Sequence, residues 1–226
     1  MEVNSFPNPG NVAPLYPVKD LTAVHFLISS CALFPTYLQA ALKAKECTLN
    51  NTSYRTLHLG ALVHDGIVQT QKWGVQTNTN LGIVLLTIPL VLGFTIYKYR
   101  TKSNNEIFDC VQIQKILQEI IRATQPEDAI YIIKAIRLAK PGGLGKTEKY
   151  DVTSPHVFQE IQKEQVNVFN LFQQGAKKDL IAQEYTTGFA TILLETLPYL
   201  ENLLAEYCLE EAISLLFLHL LSTKLD

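Results

Sequence analysis

The sequence predicts an all-α fold, a single bundle of about eight helices. Apolar residues recur at steps of three and four along most of the 226 residues, which is the spacing of one helix face. No run shows the clean alternation of apolar and polar residues that marks a half-buried strand. Pro and Gly residues divide the pattern into helix-sized segments. We therefore expect one helical domain over residues 1–226.

The first part of the chain combines a loop with two helical segments. Residues 1 to about 19 are rich in Pro and are predicted to form a loop. A helical pattern starts at Asp20, and Pro35 should kink or divide it. After a loop at CTLNNTSYRT, the pattern returns in LHLGALVHDGIVQTQKW, whose lone Trp73 is predicted to lie in the core.

The uncharged stretch from Leu81 to Tyr97 raises the question of a membrane span. It is 17 residues long, whereas a spanning helix needs about 20 apolar residues. A helix buried in a soluble bundle is the favoured interpretation, and a lone membrane span is the alternative.

The second half of the chain contains clear signals for the starts and ends of helices. Thr124 and Glu127 have the spacing of a capping box, with Pro126 in the first turn. Pro141 and the glycines after it should end that helix. Ser154-Pro155 predicts another helix start, and the remainder reads as two helices that break near Pro198.

The composition excludes several classes of protein. Lys and Arg number 19 and Asp and Glu 21, a formal charge of −2, so no basic surface for nucleic acid is expected. The four cysteines are widely spread and form no CxxC pair, which excludes a disulfide scaffold and a zinc ribbon. No cleavable export signal is visible at the N-terminus. These features predict a cytoplasmic protein.

Three polar stretches interrupt the helical pattern, namely residues 8–11, 77–80 and 140–146. The second, Thr77-Asn78-Thr79-Asn80, stands directly before the apolar helix. Backbone N–H groups and the macrodipole at a helix N-terminus favour an anion there. Capping by one Asn or Thr is the simpler explanation, and it accounts for one of the four residues well.

The third stretch, KPGGLGK, holds three Gly and two Lys in seven residues. Gly lets a backbone approach a ligand closely, and Lys supplies charge for a phosphate. The string is not a Walker A motif, because Lys140 stands where the first Gly is required and a helix precedes it rather than a strand. The alternative is a helix C-cap on Gly142 or Gly143 followed by a turn.

Histidine and acidic residues give no metal motif. His58 and His64 are six residues apart and share no helix face, and Asp65 is an isolated acid beside His64. A zinc site would need a third ligand that the sequence does not offer.

Five strings in order carry a resemblance to a known family: NPGNV at 8–12, LGALVHDGIVQTQKW at 59–73, TNTNLGIVLLTIPL at 77–90, AIRLAKPGGLGKTEKYDV at 135–152 and KKDLIAQEYTTGF at 177–189. They resemble the triphosphoribosyl-dephospho-CoA synthase family and cover most of the chain. The resemblance implies a helical fold and a transferase that uses ATP and 3′-dephospho-CoA. Members of the family join the triphosphoribosyl part of ATP to a ribose hydroxyl of dephospho-CoA and release adenine.

The resemblance also assigns roles to residues. Asn78 and Asn80 would lie near the triphosphate or its Mg²⁺. The residues implied for a phosphate-facing turn and for the opening motif are Lys140, Gly142, Gly143, Gly145, Lys146, Gly10 and Asn11. A carboxylate would serve as the base for the acceptor hydroxyl, with Asp65, Asp179 and Asp151 as candidates. The expected partners are small nucleotides. No binding to nucleic acid or to a membrane is expected, and formation of a homodimer is left as an open alternative.

Two departures from the family pattern bear on activity. The family usually has acidic residues ahead of its first long helix, where this chain keeps Asp20, the candidate Mg²⁺ ligand, and has His25 in place of an acid. The family also continues beyond the string that ends here at Asp226, so a C-terminal extension is expected to be lacking. The alternative function is accordingly a non-catalytic helical protein that binds nucleotides or acts as a scaffold.

Overall fold

The computed structural model describes residues 12, 16–18, 21–102, 108–142, 147 and 149–223. These residues contain eleven α-helices and no strand: α1 (Ala23–Ala32), α2 (Phe34–Leu49), α3 (Leu59–Lys72), α4 (Leu81–Thr101), α5 (Cys110–Ala123), α6 (Pro126–Ala139), α7 (Val157–Lys163), α8 (Val168–Gln173), α9 (Leu180–Thr187), α10 (Leu197–Leu204) and α11 (Leu209–Thr223). A 3₁₀ helix at Tyr54–Leu57 precedes α3, and a π-helical segment at Thr191–Thr196 leads directly into α10. The predicted all-α bundle is confirmed.

Helix α4 lies at the centre of the bundle. It packs chiefly against α2, α3 and α5, and it buries nine of its residues. Ile88, Leu92 and Ile96 have no exposed surface. This is the burial that the apolar stretch was predicted to have, because a helix surrounded by other helices can be apolar on most of its faces.

Two helical stretches among the described residues are long and apolar enough to cross a membrane, namely Ala23–Leu49 and Leu81–Thr101. This is weak evidence for a span, because the core helix of a soluble protein meets the same criteria of length and composition. The second stretch is such a core helix in this fold.

Helices α3 and α6 form the most extensive helix pair. Their first turns touch at Gly60, whose N–H donates to Asp128 Oδ1 at 2.9 Å. A Cβ atom on Gly60 would overlap the carbonyl oxygen of Asp128, so only glycine allows this close approach. Burial raises the pKa of Asp128, and the N–H donors of Gln125 and Gly60 oppose that rise.

The capping box at the start of α6 begins one residue later than predicted. The N-cap of α6 is Gln125, whose N–H donates to Asp128 Oδ2 at 3.0 Å. Thr124, the predicted cap, is buried; its hydroxyl donates to the Ile121 carbonyl at 2.6 Å and accepts from the Val168 N–H at 3.0 Å. A tertiary contact with α8 thus takes the hydroxyl that was predicted to cap α6.

Pro35 divides the first helical pattern as predicted, since it stands in the first turn of α2. The other predicted boundaries need correction. Pro198 lies within continuous helix, where a π-helical segment passes into α10, and the chain instead breaks at Gly188 and at residues 205–208. α7 begins at Val157 and not at Ser154-Pro155. Trp73 is 57% exposed at the end of α3, so its predicted core position is wrong.

Helices α10 and α11 form a hairpin at the C-terminal end of the described chain. They pack mainly on each other and on the π-helical segment. α10 has no buried residue, and α11 has one, Ala212. The well-packed core therefore lies in helices α2 to α9.

Candidate functional site

Four helix ends meet at one end of the bundle. Asn80, just before α4, donates from Nδ2 to Thr70 Oγ1 near the end of α3 at 2.7 Å. Gln71, also near the end of α3, donates from Nε2 to the Leu138 carbonyl in the last turn of α6 at 3.0 Å. The first turn of α9 lies beside the first turn of α4, where a Cβ on Gly82 would come 3.3 Å from Ile181 Cδ1. The fold therefore brings the TNTN stretch close to the end of α6, which directly precedes the third polar stretch.

A small depression lies between the TNTN stretch and the end of α6. It is lined by Ile67, Thr70, Gln71, Val75, Gln76, Thr77, Asn78, Asn80 and Ala139. Ala139 is the last residue of α6 and precedes Lys140. The depression holds about 10 Å³, which is room for about one water molecule. The described residues that line the depression therefore leave too little room for a nucleotide.

The TNTN stretch fixes the start of α4 through three of its four side chains. Asn78 Oδ1 accepts from the Leu81 N–H at 3.1 Å, and the Thr79 hydroxyl lies 2.6 Å from that of Ser29 in α1. Asn80 is tied to Thr70 as described above. Capping therefore explains one residue, and contacts with α1 and α3 explain two more.

These bonds hold the first turn of α4 in place at the edge of the depression. Residue Val84 is the first whose N–H bonds back along the helix, to the Asn80 carbonyl. The N–H groups of Gly82 and Ile83 precede it and have no acceptor within the helix. The positive end of the α4 macrodipole thus lies beside the polar loop.

Lys140 ends α6 in the left-handed conformation, with φ 50° and ψ 53°. Its N–H donates to the Ile136 carbonyl at 3.1 Å, and its side chain is exposed. The suggested C-cap on Gly142 or Gly143 is therefore wrong in its position, since Lys140 itself is the capping residue. Gly142 follows in an exposed turn, with open space where a Cβ would stand.

Asp65 lies on α3 and is bound by two neutral donors. Thr36 Oγ1 donates to Oδ2 at 2.6 Å, and Gln69 Nε2 donates to Oδ1 at 3.0 Å. Asp65 is five residues before Thr70, about 7.5 Å along the helix axis. The residue is half-buried, and both of its carboxylate oxygens accept a hydrogen bond.

His64 stands beside Asp65 and faces α6. Its ring centroid lies 5.5 Å from that of Tyr131. Burial is the main cause that lowers the pKa of His64, the Lys134 ammonium lowers it further, and the Asp65 carboxylate acts in the opposite direction. A lowered pKa favours the neutral form of this imidazole.

Asp179 is the N-cap of α9. Its Oδ1 accepts from the Ala182 N–H at 2.7 Å, and the residue is exposed. This bond gives Asp179 a structural role that needs no catalysis. Asp151, the third candidate base, accepts from the Thr153 N–H and hydroxyl, both at 2.7 Å, within a tight turn.

Several predicted site residues lie outside the described residues: Gly10, Asn11, Asp20, Gly143, Gly145 and Lys146. Within the described part of the chain, no group of three or more His, Cys, Asp or Glu side chains converges to hold a metal ion. Mg²⁺ at a nucleotide site needs only one or two carboxylates beside the substrate phosphates.

Sequence reasoning missed the residues that hold the candidates in place. They are Ser29, Thr36, Gln69, Thr70 and Gln71. The spacing of Asp65 and Gln69, four residues apart on a helix, was a usable signal. The hydrogen bonds between different helices could not be predicted from the sequence pattern.

The fold is an all-α bundle in which the polar loop before α4 lies near the lysine that ends α6. A family model described as ATP:dephospho-CoA triphosphoribosyl transferase matches residues 1–226, the whole chain. The chain therefore belongs to this transferase family, which confirms the resemblance.

A crystal structure from Archaeoglobus fulgidus has a similar fold, with a TM-score of 0.61. That protein is provisionally named a triphosphoribosyl-dephospho-CoA synthase. It is 21% identical to this chain, and the match covers 88% of this chain and 70% of that one. No curated protein matches the chain.

Proposed function

We propose that this protein transfers the triphosphoribosyl group of ATP to a hydroxyl of 3′-dephospho-CoA, or of a related cofactor, and releases adenine. The family match over the whole chain is the observation that carries this proposal. In the reaction, the bond between C1′ of the ATP ribose and the adenine nitrogen breaks, and adenine keeps the electron pair. The acceptor oxygen bonds to C1′ and loses its proton to a base, and the departing adenine takes up one proton, so no net proton is gained or lost.

The triphosphate is proposed to bind where α4 begins and α6 ends. The N–H groups of Gly82 and Ile83 would donate to phosphate oxygens, and the exposed ammonium of Lys140 would add a positive charge. Asn78 and Asn80 support this site by fixing the start of α4. From the resemblance, phosphate binding is also proposed for Gly142, Gly143, Gly145, Lys146, Gly10 and Asn11.

Asp65 is the stronger of the two carboxylates proposed as the catalytic base. It lies on α3, which also supplies Thr70 and Gln71 to the border of the depression, and its two hydrogen bonds fix its orientation. A carboxylate held in this way can take the proton of the acceptor hydroxyl. Asp179 remains the second candidate, at the start of the neighbouring helix α9.

Mg²⁺ would neutralise part of the triphosphate charge when bound. Asp20 is the proposed ligand from the resemblance. The proposed location of the protein is the cytoplasm, where ATP and cofactor precursors are available, and the proposed partners are small nucleotides.

Incubation with ATP, Mg²⁺ and 3′-dephospho-CoA tests the function. We expect adenine and the joined product to appear in equal amounts by chromatography with mass detection. An Asp65→Asn variant should lower the rate by about 100-fold or more, which is the usual contribution of a general base. Absence of adenine with dephospho-CoA and with related acceptors would contradict the transferase function.

A second candidate function is a non-catalytic protein that binds nucleotides. The internal hydrogen bonds of Asn78, Thr79 and Asn80 favour it, because these side chains already have partners within the fold. Calorimetry with ATP and Mg²⁺ would then show binding, while the reaction mixture yields no adenine.

A further inference from the structure

Two buried hydroxyl groups on α1 and α2 contact the two parts of the proposed site. Ser29 in α1 bonds to Thr79 in the TNTN stretch, and Thr36 in α2 bonds to Asp65 in α3. Ser29 is 1% exposed, and Thr36 has no exposed surface. Since bulk water does not reach these two hydroxyls, each depends on its partners within the protein.

The direction of each hydrogen bond follows from the protons that are available. The Ser29 hydroxyl donates its one proton to the His25 carbonyl at 2.7 Å, so it accepts from Thr79 at 2.6 Å. The Thr36 hydroxyl donates to Asp65 Oδ2, also at 2.6 Å. Thr36 thus supplies a donor to the carboxylate, whereas Ser29 supplies an acceptor to the TNTN stretch.

Another pair of hydroxyls fixes the register of α1 and α2 against α4. The Tyr37 hydroxyl in α2 lies 2.8 Å from the Thr87 hydroxyl in α4. Ser29 and Thr79 each lie eight residues earlier in the chain than these two, so the segment formed by α1 and α2 runs parallel to α4. Leu33 between α1 and α2 keeps helical angles, φ −78° and ψ −17°, and the two helices therefore act as one support.

The two contacts place Asp65 at a set distance from the start of α4. Ser29 and Thr36 are seven residues apart, about 10 Å along a helix. Helix α3 gives a similar spacing in the opposite direction, because Asp65 precedes Thr70, the partner of Asn80, by five residues, about 7.5 Å. Two separate connections, one through α1 and α2 and one through α3, therefore join the same two places.

The proposed reaction needs a constant spacing between these two places. In ATP, the rest of the ribose, C5′ and the α-phosphate separate C1′ from the β- and γ-phosphates. A base that takes the proton of a hydroxyl attacking C1′ must therefore stand at a fixed distance from the groups that bind the triphosphate. A displacement of a reacting group by about 1 Å can slow catalysis about 100-fold.

We infer that Ser29 and Thr36 are positioning residues for the transfer reaction. Thr36 orients the Asp65 carboxylate, and Ser29 holds the start of α4 through Thr79. Both hydroxyls are buried, so each acts through its partner and not by touching the substrate. This inference rests on the proposed function, to which it adds the residues that set the geometry of the site.

Steady-state kinetics with ATP, Mg²⁺ and 3′-dephospho-CoA test the role of Thr36. Thr36→Val removes the hydroxyl and keeps the shape of the side chain. It should lower kcat by about 10- to 100-fold with KM for ATP unchanged, because a misplaced base slows the chemical step. Thr36→Ser restores the donor and should recover most of the wild-type rate. Thr48→Val is the matched control on the same helix, because the Thr48 hydroxyl donates to the Ala44 carbonyl within α2.

The role of Ser29 predicts the opposite kinetic effect. Ser29→Ala should raise KM for ATP by about 3- to 10-fold, the loss expected for one neutral hydrogen bond. Its kcat should stay unchanged, because contacts with the triphosphate are the same before and during the transfer. Calorimetry with ATP and Mg²⁺ should show the same weakening. Ser30→Ala is the matched control, because Ser30 is exposed and its hydroxyl donates to the Phe26 carbonyl within α1.

The outcomes separate this inference from the proposed function. Thr36→Val with the wild-type kcat, or with the same change in KM as Ser29→Ala, would overturn the inference even if the wild type releases adenine and Asp65→Asn does not. If Thr36→Val does not fold, the smaller Thr36→Ala supplies the same comparison. A wild-type chain that releases no adenine would overturn the inference and the proposed function together.

Discussion

Lys140 is the residue at which local strain and proposed function coincide. A non-glycine residue in the left-handed region costs about 1–2 kcal/mol, yet this position holds a lysine although two glycines follow shortly after it. Such strain persists where the surrounding structure or function requires that side chain. Lys102 ends α4 in the same conformation, so the proposed contact of the Lys140 ammonium with the triphosphate needs a test of its own.

Two substitutions separate these effects. Lys140→Gly should raise stability relative to Lys140→Ala by about 1 kcal/mol, because glycine relieves the left-handed strain. Both variants should lower kcat/KM for adenine release by about 10- to 100-fold, since both lose a charge-assisted hydrogen bond. Thermal melts and steady-state kinetics measure the two effects. Wild-type kinetics in both variants would show that the ammonium does not bind the triphosphate.

Asp179 allows capping to be distinguished from catalysis. Asp179→Ser keeps a side-chain acceptor for the Ala182 N–H, whereas Asp179→Ala removes it and should cost about 1 kcal/mol of stability. If Asp179 only caps α9, the Ser variant releases adenine at the wild-type rate. A loss of 100-fold or more in the Ser variant at unchanged melting temperature would assign the proton transfer to Asp179.

At the residue scale, the sequence located polar stretches, but it did not predict the contacts that individual side chains make. Thr124 was predicted to cap α6, but its hydroxyl bonds to α8, which is distant in sequence. Trp73 was predicted to be buried because of its type, but it follows the last turn of α3, where no helix covers it. Both errors arise from tertiary contacts that local patterns do not contain.

At the scale of elements, the contact between α3 and α6 sets the position of the candidate site. Gly60 permits the first turns of the two helices to touch, and their last turns then border the depression. The periodicity of LHLGALVHDGIVQTQKW predicts α3 well, but it gives no sign that Gly60 lies against Asp128. The helix break predicted at Pro35 is confirmed, because Pro stands in the first turn of a helix there. The break predicted near Pro198 is wrong, because a π-helical segment passes directly into α10 at that point.

Gly60→Ala tests the importance of this contact. The added methyl group overlaps the Asp128 backbone, so we expect a loss of about 1–3 kcal/mol in the free energy of unfolding. Gly175→Ala is a suitable control, because a Cβ there would make only ordinary contacts of 3.6 Å or more. Chemical denaturation measures both. Equal stability of the two variants would mean that the helices separate at little cost.

At the scale of the whole molecule, the all-α class and the family followed from the sequence because both rest on patterns spread over most of the chain. The meeting of TNTN with the end of α6 could not be derived from periodicity, since it depends on how four helix ends are arranged. The proposed function requires this proximity, because the triphosphate is proposed to bind groups at the start of α4 and at the end of α6.

Hydrogen–deuterium exchange with ATP and Mg²⁺ tests this central claim most directly. The nucleotide is added at about 100 times the dissociation constant found by calorimetry, so that nearly all of the protein is bound. We predict slower amide exchange at the start of α4, around Gly82, and at the end of α6, around Lys140. Unchanged exchange at both places, with protection elsewhere on the bundle, would contradict the account.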